Sequence, residues 1–278
     1  MNSESIDINE RFRVGAVSFF NALPLIYALD RHPNVQVSPV VPAQLAAAVD
    51  RAELDVALVP SIDYQNPHRD WVALPIAAIG STAAVLTVRL FSRIPIEEIE
   101  LIAADTDSHT SVALCQVLWH LRFQRSVQIV DLQQDLQSAP AVLLIGDKVM
   151  GQLDRWPYQW DLGAAWTELT QLPFVYAFWT GPRSEKLQLL ATILHQAYQL
   201  GRQHIDDIAR AQANQHGFEV GSARDYLTNN ICFDFGPRQL QGLSRFYELA
   251  HQLHLTPCNR PIEIYPFTPS DTLLPVSP

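Results

Sequence analysis

The chain has 278 residues, of which 48% are hydrophobic and 17% are charged, a composition typical of a soluble protein with a full-sized core. Its 29 acidic and 19 basic residues give a formal charge of −10, which argues against a nucleic-acid partner because no net positive field attracts a phosphate backbone. The three cysteines are an odd number at wide spacings, which argues against a disulfide framework and against a zinc quartet.

The N-terminal segment of residues 1–12 is acidic and polar, without the basic stretch and apolar run of a secretory signal. The most apolar stretch of the chain, residues 73–88, contains Pro75 and Gly80 and is shorter than the roughly 20 residues needed to span a bilayer. We therefore expect a cytoplasmic protein without a membrane partner.

The first third of the sequence alternates predicted strands with predicted helices. Residues 12–17 form a short apolar strand, and a helix is predicted over residues 22–29. Pro42 suits the first turn of a second helix. Further apolar runs predict strands at residues 35–40, 55–59, 71–79 and 83–91.

The alternation of predicted strands and helices begins again in the middle of the chain. A strand over residues 101–104 leads into a helix over residues 111–123, in which apolar residues recur at helical spacing. Strands are then predicted at residues 127–130, 141–145 and 174–179, and short helices at residues 148–153 and 164–169. The last helix is entered through Gly236 and Pro237 and has the clearest helical period. The proline-rich tail from Thr256 predicts an extended arm or disorder.

This order of elements predicts an α/β fold with two lobes. The first lobe comprises residues 1–91 and 177–278, which include the C-terminal helices, and the second comprises residues 92–176. The chain then crosses between the lobes twice, which is the geometry of a hinge. We expect mostly parallel sheets, with ligand contacts at the carboxyl ends of the strands.

Small or hydrogen-bonding residues directly follow five of the predicted strands. They are Ser18 with Asn21, Ser61, Gly80 with Ser81 and Thr82, residues 105–111, and Gly146 with Asp147. Because the carboxyl ends of parallel strands meet at one rim of a sheet, we expect these groups to line a shared cleft.

The segment of residues 107–111 has the sequence DSHTS and stands immediately before an apolar helix. The hydroxyls of Ser108, Thr110 and Ser111, with the free amides of the first turn, would suit a carboxylate or a phosphate. Two alternatives stay open. Ser108 or Thr110 serves only as a helix cap, or His109 is a solvated loop histidine rather than part of an anion site.

Several site signatures are missing from the sequence. It lacks the glycine fingerprints of dinucleotide and P-loop sites, a serine-hydrolase elbow and a paired-histidine metal motif. We therefore predict no cofactor and no metal. Other histidines stand among polar residues and are predicted to lie at the surface, namely His32, His68, His204, His216 and His251.

Six segments of the sequence together resemble one known family. They are VGAVSFFNALPL (residues 14–25), ELDVALVPSIDY (53–64), GSTAAVLTVRLFSR (80–93), ADTDSHTSVAL (104–114), LLIGDKVM (143–150) and DLGAAWTELTQLPFVYAFW (161–179). In combination they are similar to the chorismate dehydratases of the futalosine route to menaquinone, whose relatives include 1,4-dihydroxy-6-naphthoate synthase. The similarity runs through most of the chain.

The resemblance implies a two-lobed, periplasmic-binding-protein-like fold of type II that is kept in the cytoplasm and works as an enzyme. It places the following residues around the substrate: Ser18, Asn21, Ser61, Ser81, Thr82, Ser108, Thr110, Ser111, Gly146 and Asp147. The sequence departs from the family at His109, where arginine is frequent, and at residues 80–83, where a Gly-Pro-Val type segment is common. These departures leave open the choice between the dehydratase and its sister enzyme.

The activity implied by the resemblance is the removal of water from chorismate, a dicarboxylate, to give 3-[(1-carboxyvinyl)oxy]benzoate. Asn21 and Ser81 are expected to orient the substrate, and the helix start at residues 108–111 is expected to hold a carboxylate. The proton acceptor stays open among the substrate's own enolpyruvyl carboxylate and the side chains of Asp107, His109 and Asp147. Two other functions also remain, the sister naphthoate synthase and a non-catalytic binder of a small aromatic acid.

Overall fold

The strands in the described part of the chain form two five-stranded sheets. The computed structural model describes residues 11–105, 108–132 and 139–269. In chain order the strands are β1 (Phe12–Ala16), β2 (Val35–Pro39), β3 (Val56–Pro60), β4 (Trp71–Ser81), β5 (Val88–Ser92), β6 (Leu101–Ala104), β7 (Gln128–Asp131), β8 (Ala141–Ile145), β9 (Tyr158–Asp161) and β10 (Phe174–Pro182). The helices are α1 (Pro42–Asp50), α2 (His109–Phe123), α3 (Leu162–Thr170), α4 (Leu187–Gln203), α5 (Ile205–Gln212), α6 (Val220–Asp225) and α7 (Pro237–Gln252).

The two sheets repeat one topology. The first sheet has the order β2-β1-β3-β10-β4, in which β1 is parallel to β2 and β3 while β10 is antiparallel to β3 and β4. The second has the order β7-β6-β8-β5-β9, in which β6 is parallel to β7 and β8 while β5 is antiparallel to β8 and β9. The α/β class and the two lobes are confirmed.

Four strands of each sheet run in one direction, as expected of mostly parallel sheets, and one inserted strand in each is antiparallel to them. These strands, β5 and β10, are the ones with which the chain enters a sheet after leaving the other. A chain that crosses from the carboxyl rim of one sheet arrives at the carboxyl rim of the next. It must therefore run against the parallel strands there.

The chain changes sheets at residues 82–87 and again between Asp161 and Phe174. Phe91, expected as the last residue of the first lobe, lies inside β5 of the second sheet, and Tyr176 lies inside β10 of the first. The segment of residues 83–87, predicted as strand, is the first crossing instead. An apolar run alone does not distinguish a buried strand from a buried crossing.

Asp161 ties the two crossings together. Its carboxylate caps α3 by accepting from the Ala164 amide at 3.0 Å, and it also accepts from the amides of Val85 and Leu86 at 3.0 and 2.8 Å. Leu86 has a φ of +68°, a left-handed conformation that is unfavourable for a branched side chain, and these two hydrogen bonds hold it.

The observed helices test two of the helix predictions. The final helix α7 begins at Pro237 after Gly236, as predicted. Residues 22–29 do not form a helix, since the chain makes short 3₁₀ turns at Phe20–Leu25 and Leu29–Arg31, and Pro24 has no amide hydrogen to continue helical bonding.

The C-terminal helices return to the first sheet, where α4 contacts β4 and α7 contacts β10. The proline-rich tail is extended as far as it is described, and the Tyr265 amide donates to the Ala73 carbonyl of β4. Across the described ranges, no helix combines the length and the apolar character that a membrane crossing requires.

Candidate functional site

A narrow cavity of about 60 Å³ lies between the two sheets at the ends of their strands. This volume is below the roughly 300–1,000 Å³ that small-molecule pockets occupy, so the cleft is nearly closed in this structure. The residues that line it come from both lobes: Val17, Phe19, Asn21, Pro42, Leu58, Pro60, Ile79, Val85, Thr87, Val88, Ser108, Ser111, Ile145, Gly146, Tyr176 and Ala177. Four of the lining residues, Asn21, Ser108, Ser111 and Gly146, are among the strand-end residues expected to line a cleft.

The cavity walls are apolar with a few neutral hydrogen-bonding groups. The polar side chains are those of Asn21, Thr87, Ser108, Ser111 and Tyr176, and the described lining residues include no carboxylate, amine or imidazole. Burial raises the pKa of Tyr176 well above its ordinary value of 10.0, so its hydroxyl stays protonated. Within the described ranges, no group of three or more His, Cys, Asp or Glu side chains is arranged to hold a metal ion.

Asn21 lies at the cavity wall on the 3₁₀ turn that follows β1. Its amide Nδ2 donates to the hydroxyl of Tyr226 at 3.2 Å, and Tyr226 is itself 2.6 Å from the Thr87 hydroxyl. The other amide atom, Oδ1, is buried and accepts no hydrogen bond from the described residues. A buried acceptor without a partner is unfavourable until a donor reaches it.

The start of α2 forms a second polar patch of the wall. Ser108 is the N-cap: its Oγ accepts from the Ser111 amide at 3.3 Å and donates to the Ser111 hydroxyl at 2.8 Å. Ser108 therefore caps the helix and lines the cavity at once. A 15-residue helix that begins at a cavity wall favours a negatively charged group there.

Three predicted residues are buried beside the cavity and already hydrogen-bonded. The Ser61 hydroxyl donates to the Val175 carbonyl at 2.8 Å, and the Ser81 hydroxyl is 3.1 Å from the Tyr176 hydroxyl. Thr110 Oγ1 accepts from the Ile62 amide at 3.2 Å, which joins α2 to the turn after β3. Ser81 thus reaches the cavity through the Tyr176 hydroxyl.

At one edge of the cleft, Asp147 connects the two lobes. It lies just after β8 of the second sheet. Its carboxylate accepts from the Phe20 amide at 3.2 Å and contacts His216 Nδ1 at 2.6 Å, and both partners belong to the first lobe. Burial raises the pKa of Asp147, and the hydrogen bonds from His216 and Phe20 lower it in part. We call this the Asp147 contact.

Gly146 lets the lobes approach closely beside this contact. Its φ is +59°, and a Cβ atom there would lie 2.8 Å from the ring of Phe19. Glycine is therefore required both by the backbone conformation and by the ring.

A second contact between the lobes is made by His109, the first residue of α2. Its Nδ1 lies 2.8 Å from the carboxylate of Asp63, which stands in the turn after β3 of the first sheet. Neither residue lines the central cavity; both line an outer surface groove. We call this the Asp63 contact.

The structure brings the predicted residues to different places around one cleft. Asn21, Ser108, Ser111 and Gly146 line the cavity, whereas Ser18 and Thr82 are exposed and lie outside its walls. Asp107, a candidate base, lies outside the described residues. The roles predicted for all of these residues stay predictions.

Three residues of the site were not predicted from the sequence. Thr87 lies within the crossing that the apolar pattern predicts as strand, and no motif of the sequence singles out Tyr226. His216, predicted at the surface, is half-buried against Asp147 and the Phe20 ring, and His32 is likewise buried. Of these three residues, only Thr87 has a feature in the sequence that could have indicated a site, namely its place near the crossing between the lobes.

Solved structures with the same arrangement show which fold the chain has. A protein from Archaeoglobus fulgidus superposes with a TM-score of 0.72 at 17% identity, over 88% of this chain and 98% of that one. The periplasmic aliphatic sulphonate binding protein SsuA from Escherichia coli gives a TM-score of 0.64 at 17% identity, over 95% of both chains. These likenesses establish the fold, which is that of the periplasmic binding proteins.

The sequence matches the family described as menaquinone biosynthesis over residues 12–252, and the chain belongs to that family. A chorismate dehydratase of Thermus thermophilus is 27% identical over 239 residues, which are 78% of this chain and 87% of the relative. A chorismate dehydratase of Campylobacter jejuni is 24% identical over 251 residues, covering 87% and 98% respectively.

Proposed function

We propose that this protein is a chorismate dehydratase, a hydro-lyase that removes water from chorismate to give 3-[(1-carboxyvinyl)oxy]benzoate in the cytoplasm, on the futalosine route to menaquinone. The family and the two named relatives support the activity. The observation that carries the proposal is the interlobe cavity, whose walls offer neutral hydrogen-bonding groups on apolar surroundings.

The reaction needs little from the protein besides orientation and polarisation. A proton leaves the ring carbon that bears the enolpyruvyl ether, and the hydroxyl leaves the neighbouring carbon. The ring becomes aromatic, which supplies a large driving force. A site that holds the substrate in a reactive geometry and stabilises developing charge with fixed dipoles is therefore sufficient.

The proton acceptor in this proposal is the substrate's own enolpyruvyl carboxylate. The described lining residues provide no side-chain base, while Asp147 and His109 are engaged in contacts between the lobes beside the cleft. Apolar walls disfavour the charged form of a carboxylate and so raise its basicity. Folded over the ring, the enolpyruvyl arm can reach the adjacent proton.

The start of α2 is the proposed site for the ring carboxylate. The hydroxyls of Ser108 and Ser111 lie at the cavity wall, where the positive end of the helix dipole favours an anion. Tyr176, which stays protonated and is supported by Ser81, is a further neutral donor.

The test is incubation of the purified protein with chorismate, followed by product absorbance and mass. We expect turnover, a loss of about 10-fold or more in kcat/KM for Ser111→Ala, and no change for Ser244→Ala on the exposed face of α7. Turnover of the cyclic nucleoside-derived substrate in place of chorismate would assign the sister synthase. Binding of chorismate without turnover would assign a non-catalytic binder.

The identity of the base has its own test. With a substrate carboxylate as base, Asp147→Asn and His109→Gln each keep at least about a tenth of wild-type kcat, because neither side chain takes the proton. If either change abolishes kcat while product binding is retained, the substrate-assisted step is wrong.

A further inference from the structure

A buried chain of hydrogen bonds runs from the C-terminal helices to the cavity wall. Asn21 Nδ2 is 3.2 Å from the Tyr226 hydroxyl, which is 2.6 Å from Thr87 Oγ1. The three residues come from three segments: the turn after β1, the first crossing, and the helical region after α6. Only Asn21 and Thr87 line the cavity, so Tyr226 stands behind both.

The direction of each hydrogen bond in this chain depends on which atom can donate. The amide nitrogen of Asn21 only donates, so the Tyr226 oxygen accepts from it. Between Tyr226 and Thr87 either hydroxyl can donate, and the arrangement that leaves the Thr87 hydrogen for the cavity is the one in which Tyr226 donates. Burial raises the pKa of Tyr226, which keeps that hydrogen in place. Thr87 Oγ1 then accepts from Tyr226, and its own hydrogen is free to point into the cavity that it lines.

The cavity thereby receives one acceptor and one donor. The acceptor is Asn21 Oδ1, which is buried and has no partner among the described residues. The donor is the Thr87 hydroxyl. A neighbouring acceptor and donor match a hydroxyl group, because a hydroxyl donates one hydrogen bond and accepts others.

The position of Tyr226 is fixed by its surroundings. Its ring stacks on Phe218 at 5.0 Å and 28° and on Phe20 at 6.3 Å and 22°, and Phe20 directly precedes Asn21. Tyr226 is also the first residue of a π-helical turn, Tyr226–Asn230, an irregularity that often marks functional sites. Stacked rings on a wide helical turn hold the hydroxyl between the other two side chains.

We propose that Tyr226 is a positioning residue of the reaction. Through its hydroxyl it orients Asn21 and Thr87 so that Asn21 Oδ1 accepts from, and the Thr87 hydroxyl donates to, the hydroxyl group that the substrate loses. The assignment of that group rests on the proposed dehydratase function; the orientation of Asn21 by Tyr226 does not.

The kinetic test compares substrate with product, since the product lacks the hydroxyl. We expect Tyr226→Phe and Thr87→Val to lower kcat about 10- to 100-fold while the Kd for the product changes less than about 2-fold, and Thr87→Ser to recover most of the loss. The matched control is Tyr198→Phe, a buried tyrosine of α4 that does not line the cavity. Wild-type kcat in Tyr226→Phe, or equal losses for substrate and product, overturns the proposal.

A second measurement tests whether Tyr226 orients the Asn21 side chain, and it does not depend on the identity of the substrate. The side-chain amide of Asn21 is observed by ¹H–¹⁵N NMR of the ligand-free protein and assigned by its loss in Asn21→Ala. We expect its signals to shift in Tyr226→Phe and to stay in place in Tyr198→Phe. An unshifted Asn21 amide in Tyr226→Phe overturns the positioning role, and failure of wild-type turnover with a shifted amide overturns only the dehydratase assignment. If Tyr226→Phe does not fold, Thr87→Val gives the same comparison.

Discussion

Two contacts connect the lobes beside the cleft, and each pairs an aspartate with a histidine, but their surroundings differ. In the Asp147 contact the side chains are 23% and 16% exposed, and the aspartate has a second partner in the Phe20 amide. In the Asp63 contact the aspartate is 14% exposed but His109 is 45% exposed. Exposed ion pairs contribute little to stability because water screens them, whereas loss of one partner from a buried set leaves the other unpaired. The Asp147 contact is therefore the one expected to hold the lobes together.

The largest effect is expected for Asp147→Ala. The change leaves the Phe20 amide and His216 without their acceptor, so we expect a loss of about 2 kcal/mol in the free energy of unfolding, measured in urea, and a larger radius of gyration in solution scattering. Asp154→Ala is the control, because Asp154 follows in the same segment but is exposed. Equal losses in the two variants would remove the special role of Asp147.

An intermediate effect is expected from pH at the same contact. Burial raises the pKa of Asp147 above its ordinary value of 3.8, so the fold favours the protonated form. The stability that this group contributes is complete below 3.8 and is lost as pH rises through the raised pKa. Asp147→Asn has no such loss, so its free energy of unfolding relative to wild type should rise as pH increases from about 3.8 through the raised pKa of Asp147. A constant difference over this range would contradict the assignment.

The smallest effect is expected for His109→Ala. Its half-exposed ion pair contributes less than about 1 kcal/mol. The contribution should shrink further in about 0.5 M salt, where the screening length is roughly 4 Å, against about 8 Å at 0.15 M. Unfolding in urea at low and at high salt measures both the contribution of the ion pair and its decrease with salt. His109→Arg, which places a permanent cation beside Asp63, should be at least as stable as wild type. A loss in His109→Ala as large as that in Asp147→Ala would show that the two contacts do not differ.

The arrangement of the cleft could be predicted from sequence because it depends on local order. Polar residues at strand ends must share a rim when the strands are parallel, which brought Asn21, Ser108 and Gly146 to one cavity. The start of α7 could be predicted for the same reason, since Gly236 and Pro237 act on their own backbone.

The partners of these residues could not be predicted, because they depend on how distant segments pack. Tyr226 lies 205 residues from Asn21 along the chain, and His216 lies 69 residues from Asp147. No periodicity connects such positions, and a histidine among polar neighbours has the same sequence pattern whether it faces water or a carboxylate. Residues 83–87 show the same limit, because their apolar character fits a crossing as well as a strand.

The central place of β10 in the first sheet affects how the protein is made. All strands of the second sheet come from one continuous stretch, residues 88–161, whereas β3 and β4 are both paired to a strand that begins at Phe174. During synthesis the N-terminal strands leave the ribosome first, yet their sheet cannot be completed until Phe174–Pro182 emerges. The lobe that begins the chain is thus the last to close, and a nascent chain that stops short of Phe174 exposes the edges of β3 and β4 to aggregation.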